Sequence, residues 1–219
     1  MRAIVLRRTN YGEADRILQL ITPTGKYSVI ARGARREKSR LSGGIELFAV
    51  CEVVIQSGKG DLDILTSARL VQFYQHILEN YDRMTFGYLA IKLIARASEM
   101  LDEPEWYDLL AETLAGLDVL SIRLELIQAW FYMRYSQYMG YELSLWHDVS
   151  GNELSSDISY RYDVGERGFA ISNNGNITAD HIKLLRLIAV KPLSALVQIG
   201  GIGDVITDCM SVSREHAAV

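Results

Sequence analysis

The sequence contains little cysteine. Two residues, Cys51 and Cys209, stand far apart in a chain of 219. That excludes a disulfide scaffold, and it excludes a cysteine-only structural zinc site, which needs four ligands. Long apolar runs are also missing. The longest stretches free of Asp, Glu, Lys and Arg, Gly168–Ala179 and Pro192–Gly203, are 12 residues each, too short to cross a bilayer as a helix. The N-terminal residues MRAIVLRRTNYGE have neither the apolar core nor the small-residue cleavage site of a signal peptide, so the cytosol is the expected compartment. Catalytic motifs are absent too. His76, His147, His181 and His216 show no metal-type spacing, and Gly58-Lys59-Gly60 lacks the rest of a phosphate-binding loop. Gly200-Gly201-Ile202-Gly203 has no strand–turn–helix context for a dinucleotide. Asp61 and Asp63 flank a strand as turn acids, and Cys51 sits between Val50 and Glu52 as a small core residue. No enzyme and no cofactor is expected.

What is present is an ordinary globular composition, 49% apolar and 23% charged, which excludes disorder and suits one or two domains. The net charge of −4 hides an asymmetry. Residues 1–83 hold 13 basic and 9 acidic groups, net +4, while residues 84–219 hold 10 and 18, net −8. Within Ala31–Leu41 lie Arg32, Arg35, Arg36, Lys38 and Arg40, with Glu37 the only acid. Such a division suggests a polyanion-binding head on a body with another task.

The first part reads as strands at Ala3–Leu6, Arg16–Ile21, Lys26–Ala31, Phe48–Gln56 and Ile64–Phe73. Tyr11-Gly12, Thr22-Pro23-Thr24-Gly25 and the glycines after Ser57 punctuate them. Five short strands in about eighty residues predict a small barrel, which also removes exposed sheet edges. From Tyr74 the pattern turns helical. Arg83–Leu101 carries an apolar stripe, Asp102-Glu103-Pro104 breaks it, and Pro104 suits the first turn of a helix to about Leu117. Ser121 is the expected N-cap of a helix that is apolar on most of its circumference and ends at Gly140, hence the centre of a bundle. A loop-rich excursion at 144–177 carries short strands at Ser159–Tyr162 and Phe169–Ile171. Thr178 is the expected cap of a helix over His181–Val190, with another over Leu193–Ile199 after Pro192 and a frayed end over Val212–Val219. The expected fold class is α+β and multidomain: residues 1–80 as a barrel, then a helical domain over 81–219.

The basic loop is the strongest candidate site. Cations that meet phosphates, with rings on which bases stack, are what sequence-tolerant single-strand binding requires. Arg32, Arg35, Arg36, Lys38 and Arg40 are the candidate phosphate contacts, with Lys26 and Arg16 as secondary ones. Tyr11, Tyr27 and Phe48 lie near in sequence, and Tyr27 and Phe48 are the candidate stacking rings, with a core role as the competing reading. Gly33, Ser42, Gly43 and Gly44 suggest a mobile loop. Lys92, Arg96, Arg123 and Arg134 are the cations available to the helical part.

The order of these residues resembles the bacterial recombination mediator family RecO. The matching elements are Ala3-Ile4-Val5-Leu6, Tyr11-Gly12-Glu13-Ala14-Asp15, Gly25-Lys26, Ala31-Arg32-Gly33-Ala34-Arg35-Arg36 with Lys38-Ser39-Arg40, and Glu46-Leu47-Phe48. The resemblance is strong over residues 1–75 and collinear beyond, with Met139-Gly140-Tyr141 at a junction. It implies an N-terminal OB-fold that binds single- and double-stranded DNA and anneals complementary strands. With RecR, such a protein helps load RecA onto DNA coated by single-strand-binding protein, whose acidic C-terminal tail docks in the helical domain. It implies a bacterial cytoplasmic, nucleoid-associated protein with no membrane role. Many relatives carry a zinc site just after the junction. Here its first pair falls on His147 and Ser150, and no cysteine lies between Cys51 and Cys209. A lobe without zinc is implied, tied instead by Phe169 and Ile171 with Trp146. The competing reading is an OB-fold interaction module whose basic loop clamps an acidic protein partner.

Overall fold

A computed structural model describes residues 1–58, 60, 62–101 and 103–218. Lys59 and Asp61 of the expected turn, Asp102 of the expected helix break and Val219 of the expected frayed end lie outside the described residues, as does the side chain of Ser42. The chain divides into two compact units, Met1–Leu120 and Ser121–Val219. The sequence places a change of character near residue 80, where strands give way to helices; the compact units divide at Leu120.

In the first unit, β1 (Arg2–Tyr11), β2 (Asp15–Thr22), β3 (Gly25–Ala31), β4 (Ala49–Gln56) and β5 (Asp63–Phe73) close into a barrel of order β1-β2-β3-β5-β4. Alternate side chains enter the barrel, as at Val29 and Ala31 of β3 and Cys51 and Val53 of β4, whereas β1 buries Ala3–Leu6 in a row; the inward side chains make the core. Val5, Leu18, Leu20, Val29, Cys51 and Leu65 form that core. The β2–β3 hairpin is set by Thr22, whose Oγ1 donates to the Gly25 carbonyl at 2.9 Å. A short parallel pairing of β3 with β5, Val29 to Asp63 and Ile30 to Ile64, completes the ring. The α+β class, with an OB-type barrel followed by helices, is thus observed.

Helix α1 (Tyr81–Met100) begins at Asn80, whose side chain accepts the Arg83 backbone N–H at 3.0 Å. Helix α2 (Glu105–Asp118) follows Pro104. Arg83 is a buried cation that the apolar pattern did not anticipate. Its guanidinium donates to the carbonyls of Leu117, Val119 and Leu120 at 2.9, 3.2 and 3.1 Å. It thereby satisfies acceptors left over at the C-terminus of α2, where a cation is also favoured by the helix dipole.

In the second unit, α3 (Leu124–Tyr138) is buried on most sides, as its apolar circumference implies. It starts after Arg123 rather than Ser121, because Arg123 is the last extended residue before the helix. Helix α4 (Ala179–Val190) starts at Thr178 as expected, and His181 Nδ1 accepts the Thr178 backbone N–H at 3.2 Å. Helix α5 (Leu193–Leu196) is one turn after Pro192. The expected frayed end is instead α6 (Ile206–Ala217), ordered because Ile206, Cys209, Val212, His216 and Ala217 are buried. Strands β6 (Tyr160–Asp163) and β7 (Gly168–Ile171) form the hairpin of the loop-rich excursion.

Candidate nucleic-acid interface

Two loops shape one cleft on the barrel. Tyr11 ends β1, beside the turn into β2, and Gly58 and Leu62 belong to the connection of β4 with β5. Tyr11, Ile30, Arg32, Gly58, Leu62 and Ile64 line the cleft between them. Asp63 supports the far loop by accepting the Gly58 N–H at 3.3 Å. The face of β2 and β3, flanked by these two loops, is where OB-folds take oligonucleotides. The Tyr11 ring is 54% exposed, and Arg32 is exposed beside it.

The basic loop grows out of this cleft. Gly33 adopts a left-handed conformation, φ 64°, which glycine accepts without a side-chain penalty. Its N–H donates to the Asp15 carboxylate at 2.7 Å, and the Arg35 N–H donates to the Ala14 carbonyl at 2.9 Å. Two consecutive turns follow, from Arg36 N–H to Gly33 and from Ser39 N–H to Arg36. Ala34 and Leu41 are buried in the barrel core. The loop is therefore pinned at both ends and folded within, not the free tether its glycines suggest. Between the pins, Arg35, Arg36, Lys38 and Arg40 are exposed along with Arg32, which itself lines the cleft. Arg35 also reaches the Gly12 carbonyl at 3.3 Å.

The remaining candidates separate. Lys26 is held away from the loop by an ion pair with Glu99 of α1 at 2.8 Å. The Lys26 hydrogen bond and charge keep that carboxyl below the usual carboxylate range. Arg16 is half-buried, and its Nε is enclosed with no hydrogen-bond partner. Tyr27 packs against the barrel core. Phe48 cannot stack on a base. It is 1% exposed, with its ring edge-on to Tyr88 at 4.8 Å. Tyr11, which lies near the loop in sequence but is not among the stacking candidates, is the exposed ring at the cleft, before Gly12 at the β1–β2 turn. Glu13 is exposed, and Asp15 serves the loop.

Burial, with Glu46 nearby, pushes the Cys51 thiol up to about 11, so it stays protonated. Among the described residues no three His, Cys, Asp or Glu side chains gather to hold a metal. In the lobe, His147 and Ser150 flank Asp148, whose Oδ1 accepts the backbone N–H groups of Ser150 at 2.8 Å and Asn152 at 2.9 Å. Those bonds, Asn152 foremost, hold its carboxyl below the usual range. One imidazole without a thiolate does not fit the zinc site of the family. The carboxylate organises the turn instead. The expected tie is corrected as well. Phe169 is fully buried, but Trp146 and Ile171 are 64% and 55% exposed.

A closed five-stranded barrel of this order, with a basic loop rooted at the cleft, defines an oligonucleotide-binding type of fold. The family description "Recombination protein O N terminal" matches residues 1–74, and "Recombination protein O C terminal" matches residues 78–201. The DNA repair protein RecO of Dehalococcoides mccartyi (strain CBDB1) is 30% identical over 207 residues, 90% of this chain and 81% of that one. The RecO of Roseiflexus sp. (strain RS-1) is 28% identical over 199 residues, 87% of this chain and 70% of that one. That of Chlorobium limicola (strain DSM 245 / NBRC 103803 / 6330) is 30% identical over 216 residues, 90% and 83% respectively. The chain belongs to the RecO family, and its role lies in DNA repair and recombination. No described helix is long and apolar enough to cross a membrane.

Proposed function

We propose that this chain binds single- and double-stranded DNA through the cleft and basic loop of its barrel and anneals complementary strands. With RecR, it helps load RecA onto DNA coated by single-strand-binding protein. It works by binding alone, with no bond made or broken and no cofactor.

The observation that carries the reading is the loop rooted at the cleft: five exposed cations, of which Arg32 lines the cleft with the exposed Tyr11. Arg offers a planar fork to phosphate oxygens and Lys a point charge, while any base can stack on a phenol ring. Two strands repel each other, and neutralised phosphates let them approach without their bases being read.

In the second unit, a groove lined by Met133, Leu143, Leu145, Trp146, Arg186 and Val190 suits the tail of the coating protein. That tail is acidic, apolar and ends in a carboxylate. Arg186 lies 3.7 Å over the Trp146 ring, which sets a cation beside an apolar floor.

The test is annealing of fluorescently labelled complementary oligonucleotides across a salt series, comparing the natural chain with Arg35→Ala/Arg36→Ala/Lys38→Ala. Salt-sensitive annealing that the folded triple variant loses supports the reading. Full annealing by the variant moves the DNA surface elsewhere. No DNA binding by the natural chain at low salt favours the clamp for an acidic protein.

A further inference from the structure

A second groove lies on the first unit, between the outer wall of the barrel and α1. Arg7 of β1 and Lys92 and Arg96 of α1 rim it, and its floor includes Leu47 and Ile91. All three cations are exposed. Among the described residues none of them makes a hydrogen bond or a close ion pair; Glu99 at the rim is engaged by Lys26 and also attracts Arg7. Lys92 and Arg96 stand one helical turn apart, so both charges face the same way. Tyr88 is 47% exposed at the groove, and its ring is braced edge-on by the buried Phe48. A fixed ring beside three exposed cations and a single acid repeats the chemistry of the first cleft.

One strand joins the two places. Arg7 and Tyr11 lie on β1 four residues apart, which alternation sets on the same side of the strand. At the rise of an extended strand that is about 13 Å. Between them stand Arg8, Thr9 and Asn10, with no acid.

We infer that the groove of Arg7, Lys92 and Arg96 binds a second single strand of nucleic acid, held beside the strand in the cleft as the pair to be annealed. The inference rests on the DNA-binding reading above and deepens it, because annealing requires two strands and one cleft holds one. An acidic apolar peptide would also suit the cations and the floor; the two strands that annealing requires, and the place of Arg7 on the strand that ends at Tyr11, favour nucleic acid.

The experiment uses the full chain and Lys92→Glu/Arg96→Glu, with Lys92→Gln/Arg96→Gln as a milder second variant. All four substitutions are at exposed positions, and a thermal melt checks the fold. Short single strands too brief to span both places are titrated by fluorescence anisotropy, and annealing of longer complementary strands is timed. The natural chain is expected to bind two short strands and the variants one, with the retained affinity within about twofold and annealing about tenfold slower. One short strand per natural chain, or variants that anneal at the natural rate, overturns the inference and leaves the first cleft in place. Variants that anneal normally but lose binding of an acidic apolar peptide make the groove a protein site and overturn it too. A natural chain that neither binds DNA nor anneals defeats the underlying reading itself, which is a separate and visible result.

Discussion

The backbone N–H of Gly33 donates to the carboxylate of Asp15 at 2.7 Å, tying the root of the basic loop to the start of β2. The bond fixes where five cations leave the barrel, beside Tyr11, whose backbone pairs with Asp15 across the sheet. Asp15 thus positions the loop. Asp15→Ala is expected to destabilise the chain by about 1–2 kcal/mol, as for a lost hydrogen bond to a charged group. It should also weaken single-strand binding and speed hydrogen exchange at Gly33. Asp15→Asn, which keeps the acceptor oxygen, should recover most of the loss. Urea denaturation and anisotropy titration check both, and an Asp15→Ala chain with unchanged affinity would remove the positioning role.

The loop cations are expected to act as a sum of phosphate contacts. Five contacts to single-stranded DNA give a slope of roughly −3.5 in log affinity against log salt. Removing Arg35, Arg36 and Lys38 together should flatten it by roughly 2 and leave the melting temperature nearly unchanged, since all three are exposed. A slope that does not move would show that these side chains meet no phosphate.

Gly87 is a test of where Phe48 belongs. A Cβ at Gly87 would stand 2.8 Å from Cε1 of Phe48, a contact that a close-packed interior cannot absorb. Gly87→Ala should cost about 1–3 kcal/mol by overpacking. The folded variant should bind short strands with natural affinity, because the Phe48 ring is a core side chain.

His216 predicts an acid-sensitive second unit. Its Nε2 meets the Tyr141 carbonyl and its Nδ1 meets the Tyr162 hydroxyl, each at 2.9 Å. Burial, which outweighs the bond to Tyr141, holds its pKa below the ordinary value, and Arg167 adds to the depression. The folded chain therefore binds this proton less readily than the unfolded one. The resulting stability is fully present above the unfolded value of about 6.5 and is lost as the pH falls from there through the folded value. Urea midpoints should drop between about pH 7.5 and about pH 5.5, and His216→Gln should flatten that part of the fall.

Asp148 organises the turn that runs to Asn152 by accepting backbone N–H groups. A strong chelator should leave the melting temperature of the natural chain unchanged, while Asp148→Ala should lower it by freeing the Ser150 and Asn152 amides. Asp148→Asn should fall between the two. A melt that shifts with chelator would contradict the donor set.

The sequence by itself determined a good deal. Short β-prone runs and the turn residues between them marked five strands, and the 3.6-residue stripes marked the helices, because both are local consequences of backbone geometry. The run of cations in Ala31–Leu41 marked the candidate loop, since charge is countable without coordinates. Tertiary structure decided what depends on distant partners. Lys26 and Phe48 look like site residues in a linear reading, but α1 supplies the Glu99 that engages one, and the Gly87–Tyr88 surface that buries the other. Nothing local in the sequence marks the roles of Arg83 and Asp148, whose acceptors and donors the fold supplies. The apparent frayed end is a helix because its apolar residues meet a buried face that no local pattern records. The groove of Arg7, Lys92 and Arg96 joins residues some ninety positions apart in the chain, a separation over which only the closed barrel and its packed helix fix proximity.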